Sequence, residues 1–247
     1  MTSFTTLIPE TVSAQARDGV GRRLLAEYGS VFVARGGAVP PDQLIFRDQV
    51  EVERFQKSIS IDAVKFGEIN IELQSVASDA LRKAVREAEQ RGLSITPRSV
   101  DSGRRSYSDT VELWKSRVEP ALDHWVEQGR LSREHAERIR SILPFEQVPE
   151  VLKLEETGVF FAKDLSKTIL YSVAPPGASQ HLSMLAFDVA EFNDPQIRQI
   201  LERNYWYQTV PSDLPHFTFL GVQRDELPGL GLKCVVESER DFWVPDT

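Results

Sequence analysis

Two short stretches hold the residues best suited to chemistry. They are Ser179-Gln180-His181-Leu182-Ser183-Met184-Leu185-Ala186-Phe187-Asp188 and, further on, Asp213-Leu214-Pro215-His216. Together they supply two of the four histidines in 247 residues, with two carboxylates. Two neutral imidazoles and one carboxylate, with a coordination position left for water, form a common ligand set for catalytic zinc. A second carboxylate three residues before the last histidine can take the proton that such a water must lose. Each residue alone has an ordinary reading, a histidine or acid satisfied by hydrogen bonds. The weight lies in the order and spacing of several together.

The elements that must position these groups can be read locally. Ala186–Val189 is a short apolar run with an acid inserted, and a carboxylate there is costly to bury unless paired or metal-bound. His216–Leu220 has strand composition, which puts His216, Thr218 and Leu220 on one face and Phe217 and Phe219 on the other. Asp213 falls in the turn before it, after Pro211 and Ser212, where it can sit beside a metal without ligating it. Pro175-Pro176-Gly177 is a turn signal that places His181 at the end of a loop entering the Asp188 strand. The spacing differs from the helical His-Glu-x-x-His arrangement.

Upstream, apolar periodicity predicts helices over 11–28, a short one after the Asp48–Glu51 capping pair, 78–91, 108–128, 131–143 and 195–203. Strand composition marks 30–34, 93–96, 159–162, 168–173, 204–209, 216–220 and 233–238, and residues 144–157 read as irregular. The resulting expectation is an α+β fold, helices packed on a small, mostly antiparallel sheet, over residues 68–247, preceded by an N-terminal extension over 1–67. Gly103-Arg104-Arg105-Ser106-Tyr107 sits between a strand and the helix that Ser106 and Asp109 can cap.

These residues resemble the D-alanyl-D-alanine carboxypeptidase and dipeptidase family of zinc peptidases, which includes vancomycin-resistance peptidases and some phage endolysins. Hedgehog signalling domains share its fold. Its signature is Ser-x-His, Asp seven residues later, then Glu-x-x-His, with Gly-x-Arg-Ser upstream. Here Ser179, His181, Asp188, His216 and Gly103–Ser106 carry the pattern. The resemblance implies zinc held by His181, Asp188 and His216, and Asp213 at the position of the catalytic base. It implies that Arg105 stabilises the oxyanion and contacts substrate, with Arg104 and Arg98 as competitors. Ser179 and Trp206 would lie near substrate; Ser179 reads equally as a turn cap and Trp206 as core. Three positions depart from the family: Asp213 for Glu, Pro215 for Trp, and Met184 for Gly. The implied reaction is zinc-dependent hydrolysis of a cell-wall peptide bond, most simply D-alanyl-D-alanine carboxypeptidase activity on a peptidoglycan-derived peptide. An endopeptidase of the same family, or a zinc-bearing binding module without catalysis, are the alternatives.

Bulk properties narrow the field. A net charge of −8 argues against nonspecific nucleic-acid binding and against an anionic membrane surface. A single cysteine, Cys234, rules out an intrachain disulfide and a cysteine-rich metal site. No stretch approaches the roughly 20 apolar residues of a membrane span. The start lacks a signal peptide's basic and apolar regions, which fits a cytoplasmic protein or a mature form. The family resemblance implies the cell envelope or periplasm.

Overall fold

The computed structural model describes residues 3–247. In chain order the elements are α1 (Glu10–Gln15), α2 (Gly19–Tyr28), α3 (Gln49–Lys57), β1 (Ile61–Phe66), β2 (Ile69–Gln74), α4 (Ser75–Gln90) and α5 (Tyr107–Glu127). There follow α6 (Arg133–Ser141), α7 (Pro144–Glu155), β3 (Ala186–Asp188), α8 (Pro195–Arg203), β4 (Trp206–Gln208), β5 (His216–Phe219), β6 (Leu232–Glu237) and β7 (Arg240–Pro245). The expected α+β class is what the chain adopts. Its sheets are small and antiparallel: the hairpins β1–β2 and β6–β7, and a three-stranded sheet in the order β3-β5-β4.

The chain divides into two compact units. The first combines residues 1–44, 53–105 and 180–247, and it contains all three sheets. The second combines 45–52 with 106–179 and is helical. The β1–β2 hairpin turns at Gly67-Glu68, so the expected start of the main domain lies inside one hairpin.

In the first unit, the N-terminal segment is joined to the C-terminal part by hydrogen bonds to backbone carbonyls. The Arg35 amide donates to the Leu220 carbonyl at 2.9 Å, and the Ser30 hydroxyl donates to the Trp243 carbonyl at 2.8 Å. Gly36 and Gly221 pass each other closely, both with positive φ (68° and 72°). A Cβ on Gly221 would lie 2.1 Å from the Arg35 carbonyl oxygen.

Several elements differ from expectation. Residues 30–34 form a buried 3-10 turn, Gly29–Val33, instead of a strand. A uniformly apolar run does not select strand over helix, and its backbone bonds are satisfied without a ladder. The 11–28 helix is broken at Arg17-Asp18, where the Asp18 carboxylate caps α2 by accepting from the Gly21 amide. Residues 93–96 form no strand; the only pairing nearby is the isolated bridge Pro97–Val189. Proline has no N–H to extend such a ladder.

In the second unit, α5 begins on the expected Ser106/Asp109 capping box, and the Trp114 indole N–H donates to the buried Gln147. The strands expected at 159–162 and 168–173 are absent, and 169–171 is a 3-10 turn. Glu155 of α7 explains this, because its carboxylate takes both the Ile169 amide and the Thr168 hydroxyl at 2.6 Å. Residues 144–155, expected to be irregular, are helix α7. Pro144 stands at its first turn, where proline's fixed φ suits a helix start.

The Gly36–Gly221 crossing yields a stability prediction. Gly221→Ala should destabilise the fold by more than about 1 kcal/mol, since both its φ and its space exclude a Cβ. Urea unfolding would measure this, and an unchanged midpoint would refute it.

Candidate metal centre

The antiparallel pairing of β3 and β5 sets Asp188 directly opposite His216. Alternation places both, with Thr218, on one face of the sheet. His181 reaches the same point from the 3-10 turn Gln180–Ser183, instead of the loop end expected. That turn is closed by the Ser183 hydroxyl on the Gln180 carbonyl and the Met184 amide on the His181 carbonyl. Met184 then takes a left-handed φ of 59°, at the position where the family resemblance expects glycine. The conformation costs a non-glycine residue roughly 1–2 kcal/mol. The side chain is fully buried, and burying a methionine is worth about 1.5–3 kcal/mol, so burial offsets the strain.

The two imidazoles are oriented by groups that can only accept a proton. His181 Nδ1–H donates to the Gly103 carbonyl at 2.7 Å. Its Nε2 is therefore a bare lone pair, buried, without a hydrogen-bond partner, and 3.3 Å from Asp188 Oδ1. His216 Nε2–H donates to Gln180 Oε1 at 2.9 Å, which leaves His216 Nδ1 facing the same Asp188 Oδ1 at 3.2 Å. Two nitrogen lone pairs and a carboxylate oxygen thus converge with their ligand atoms within 4.8 Å of one another. Repulsion among them is relieved by a cation, and two imidazole nitrogens with one carboxylate are suited to zinc.

The other carboxylate oxygen is held separately. Arg105 Nη2–H donates to Asp188 Oδ2 at 2.9 Å, while its Nε–H donates to the Asp101 carbonyl at 3.2 Å. Of the three arginines in this segment, Arg105 is the one whose side chain bonds to the cluster. Arg104 is engaged by Gln56 and Glu72, and Arg98 meets Asp188 through its backbone amide.

Electrostatics keep the ligands in their binding forms. Burial, then the Arg105 guanidinium, lowers the His181 pKa against the pull of Asp188. Burial works to raise the Asp188 carboxyl, and the two histidines beside it outweigh that, holding it well below the usual carboxylate range.

The other expected site residues fall in different places. Asp213 lies in an exposed turn, where its amide donates to Val210 and its carbonyl accepts from the His216 amide at 3.1 Å. The adjacent Ser212 donates to Glu27 of α2. Ser179 is buried and ends the second unit. Trp206 is fully buried on the face of the sheet opposite His216, packed against Phe187 and Phe219 at ring distances of 6.2 and 5.6 Å. His124 and His135 lie on α5 and α6, in the second unit. Two participants went unread in the sequence, the Gly103 carbonyl and Gln180. A polar side chain beside His181, in a segment otherwise fit for burial, is the signal that would have found Gln180.

A family model described as VanY, D-alanyl-D-alanine carboxypeptidase, matches residues 70–223, more than half of the chain. Among solved structures, the chain is similar to a mutant of the vancomycin-resistance D,D-pentapeptidase VanY from a VanB-type resistance cassette, crystallised in complex with Zn(II). The two share 14% identity over 79% of this chain and 89% of that chain, with a TM-score of 0.37. No curated protein matches.

The lowered pKa values have one sign in common. The unfolded chain takes up protons at His181 and Asp188 before the folded chain does, so stability present above the unfolded values is lost as pH falls toward the folded ones. Metal-free protein should lose thermal stability below about pH 6.5, the ordinary histidine value. A melting temperature that rises with acidification would contradict this.

Proposed function

Because the chain belongs to the VanY D-alanyl-D-alanine carboxypeptidase family, we infer that it removes the terminal D-alanine from a cell-wall peptide, using zinc held by His181, Asp188 and His216. It is a zinc metallopeptidase of the peptidoglycan-processing class. The observation that carries the residue assignment is the convergence of two imidazole lone pairs on Asp188 Oδ1. Bound zinc supplies Lewis acidity and brings the pKa of water down to about 7.

The remaining chemistry belongs to the protein. Asp213 accepts the proton from the attacking water and delivers it to the leaving amine. Its backbone bond to the His216 amide ties the base to the ligand strand. Arg105 has five N–H donors, of which Asp188 and the Asp101 carbonyl engage two. The remaining donors stabilise the developing oxyanion and bind substrate oxygens. Ser179 follows in sequence immediately before the ligand turn and serves as a substrate contact. Trp206, buried behind the sheet, supports the ligand strands from the core.

Charge favours a substrate with a free carboxylate. The Asp188 and Arg105 charges cancel, and a dication leaves the centre positive within a protein of net charge −8. A peptide ending in a carboxylate complements that centre, and this favours the carboxypeptidase over the endopeptidase. A cell-wall substrate supports reading the protein as one that acts at the cell envelope. No helix among the described residues is long and apolar enough to cross a membrane.

The test is release of D-alanine from a peptidoglycan pentapeptide by zinc-loaded protein, with and without chelator. Chelation should abolish release and zinc should restore it. Asp213→Asn should lower kcat by about 100- to 10,000-fold with zinc content unchanged. Zinc-loaded protein that releases no D-alanine would overturn the carboxypeptidase reading, and undiminished kcat in Asp213→Asn would remove Asp213 as the base.

A further inference from the structure

Gln180 is fixed from both ends. Its Nε2 donates to the Tyr28 carbonyl at 2.9 Å, at the end of α2, and a carbonyl can only accept. Its Oε1 therefore faces the other way. There it receives His216 Nε2–H at 2.9 Å and the Thr218 hydroxyl, and Thr209 and Thr218 are linked through their hydroxyls at 2.6 Å. Turning the amide over would set oxygen against the Tyr28 carbonyl. Gln180, Thr209, Thr218 and His216 are all buried, so water does not replace any of these bonds.

We propose that Gln180 is the positioning residue that selects which nitrogen of His216 binds the metal. An amide oxygen that can only accept places the His216 proton on Nε2, and the Nδ1 lone pair is thereby directed at the Asp188 side of the cluster. Gly103 does the same for His181 with the opposite outcome, a proton on Nδ1 and a free Nε2. Without Gln180, the His216 proton is drawn to Nδ1, where Asp188 Oδ1 lies 3.2 Å away as an acceptor. The ligand atom would then be blocked by a hydrogen bond inside the site. Thr218, two residues along β5 on the same face, saturates the amide oxygen and holds it in place. The far anchor is Tyr28, so the N-terminal segment takes part in metal binding through a single backbone carbonyl.

The inference rests on the zinc reading above, and its test separates the two. In metal-free wild-type protein, above the pH range in which imidazole titrates, nitrogen NMR should show His216 protonated on Nε2 and bare on Nδ1. Protonation on Nδ1 would overturn the proposal whether or not the protein binds zinc. In Gln180→Leu the His216 proton should move to Nδ1, and zinc affinity, measured by chelator competition, should fall by about 10- to 100-fold. Gln180→Glu keeps the acceptor but opposes a carboxylate to the Tyr28 carbonyl. It should lose thermal stability yet bind zinc more tightly than Gln180→Leu, which a purely structural role would not produce. Wild-type tautomer and affinity in Gln180→Leu would refute the assignment. If Gln180→Leu does not fold, the wild-type tautomer still decides the question. Failure of wild-type protein to take up zinc would count against the zinc reading alone.

Discussion

A single buried oxygen, Asp188 Oδ1, organises the first unit around itself. Two imidazole nitrogens face it at 3.2 and 3.3 Å, and the bonds that their other ring nitrogens make to Gly103 and Gln180 direct lone pairs at it. Such an arrangement is unfavourable in isolation, because lone pairs repel and a buried carboxylate loses its hydration. It persists because each participant is tied elsewhere by a bond that is favourable: His181 to Gly103, His216 to Gln180, and Asp188 Oδ2 to Arg105. The stress is held by the scaffold and relieved by a cation. This is the physical sense in which the site is built before the metal arrives.

Arg105 has a double effect. As the partner of Asp188 it lowers the cost of burying the carboxylate, and as a positive charge it depresses the neighbouring His181. Both effects keep the ligands in the states that bind metal. The guanidinium does this without giving up all its donors, which distinguishes it from a lysine, whose ammonium presents a point charge. The departures from the family pattern are absorbed locally. Met184 takes a left-handed conformation that glycine adopts without strain and is buried in exchange, and Asp213 shares a backbone bond with the ligand strand.

The chemistry was more legible in the sequence than the fold around it. The types and spacing of His181, Asp188, His216 and Arg105 single them out, and the fold brings their side chains together. The helices with clear caps were also readable: α5 from Ser106 and Asp109, and α8 from Asp194. The errors share a cause. At 30–34 and 168–173, apolar composition suggested strands, but tertiary partners satisfied the backbone differently, in one case a single carboxylate, Glu155. The β1–β2 hairpin is hard to read because β1 does not alternate: apolar Ile61 and Ala63 are exposed, and Asp62 shares a face with buried Val64. Gln180 was passed over because its role depends on Tyr28, Thr209 and Thr218, none of which is near it in sequence.

The first unit is assembled from segments on either side of residues 106–179, which belong to the second. This has a bearing on synthesis. A growing chain that has reached residue 105 already carries Tyr28, Gly103 and Arg105, but none of His181, Asp188 and His216. The intervening helices are translated next, and the ligand-bearing strands follow. The bonds that seat the N-terminal segment, to Leu220 and Trp243, come later still. Pairings so distant in sequence are slow to form, because loop closure precedes any gain from contact. The cluster of His181, Asp188 and His216 therefore cannot assemble on the nascent polypeptide until the helices of residues 106–155 have been made.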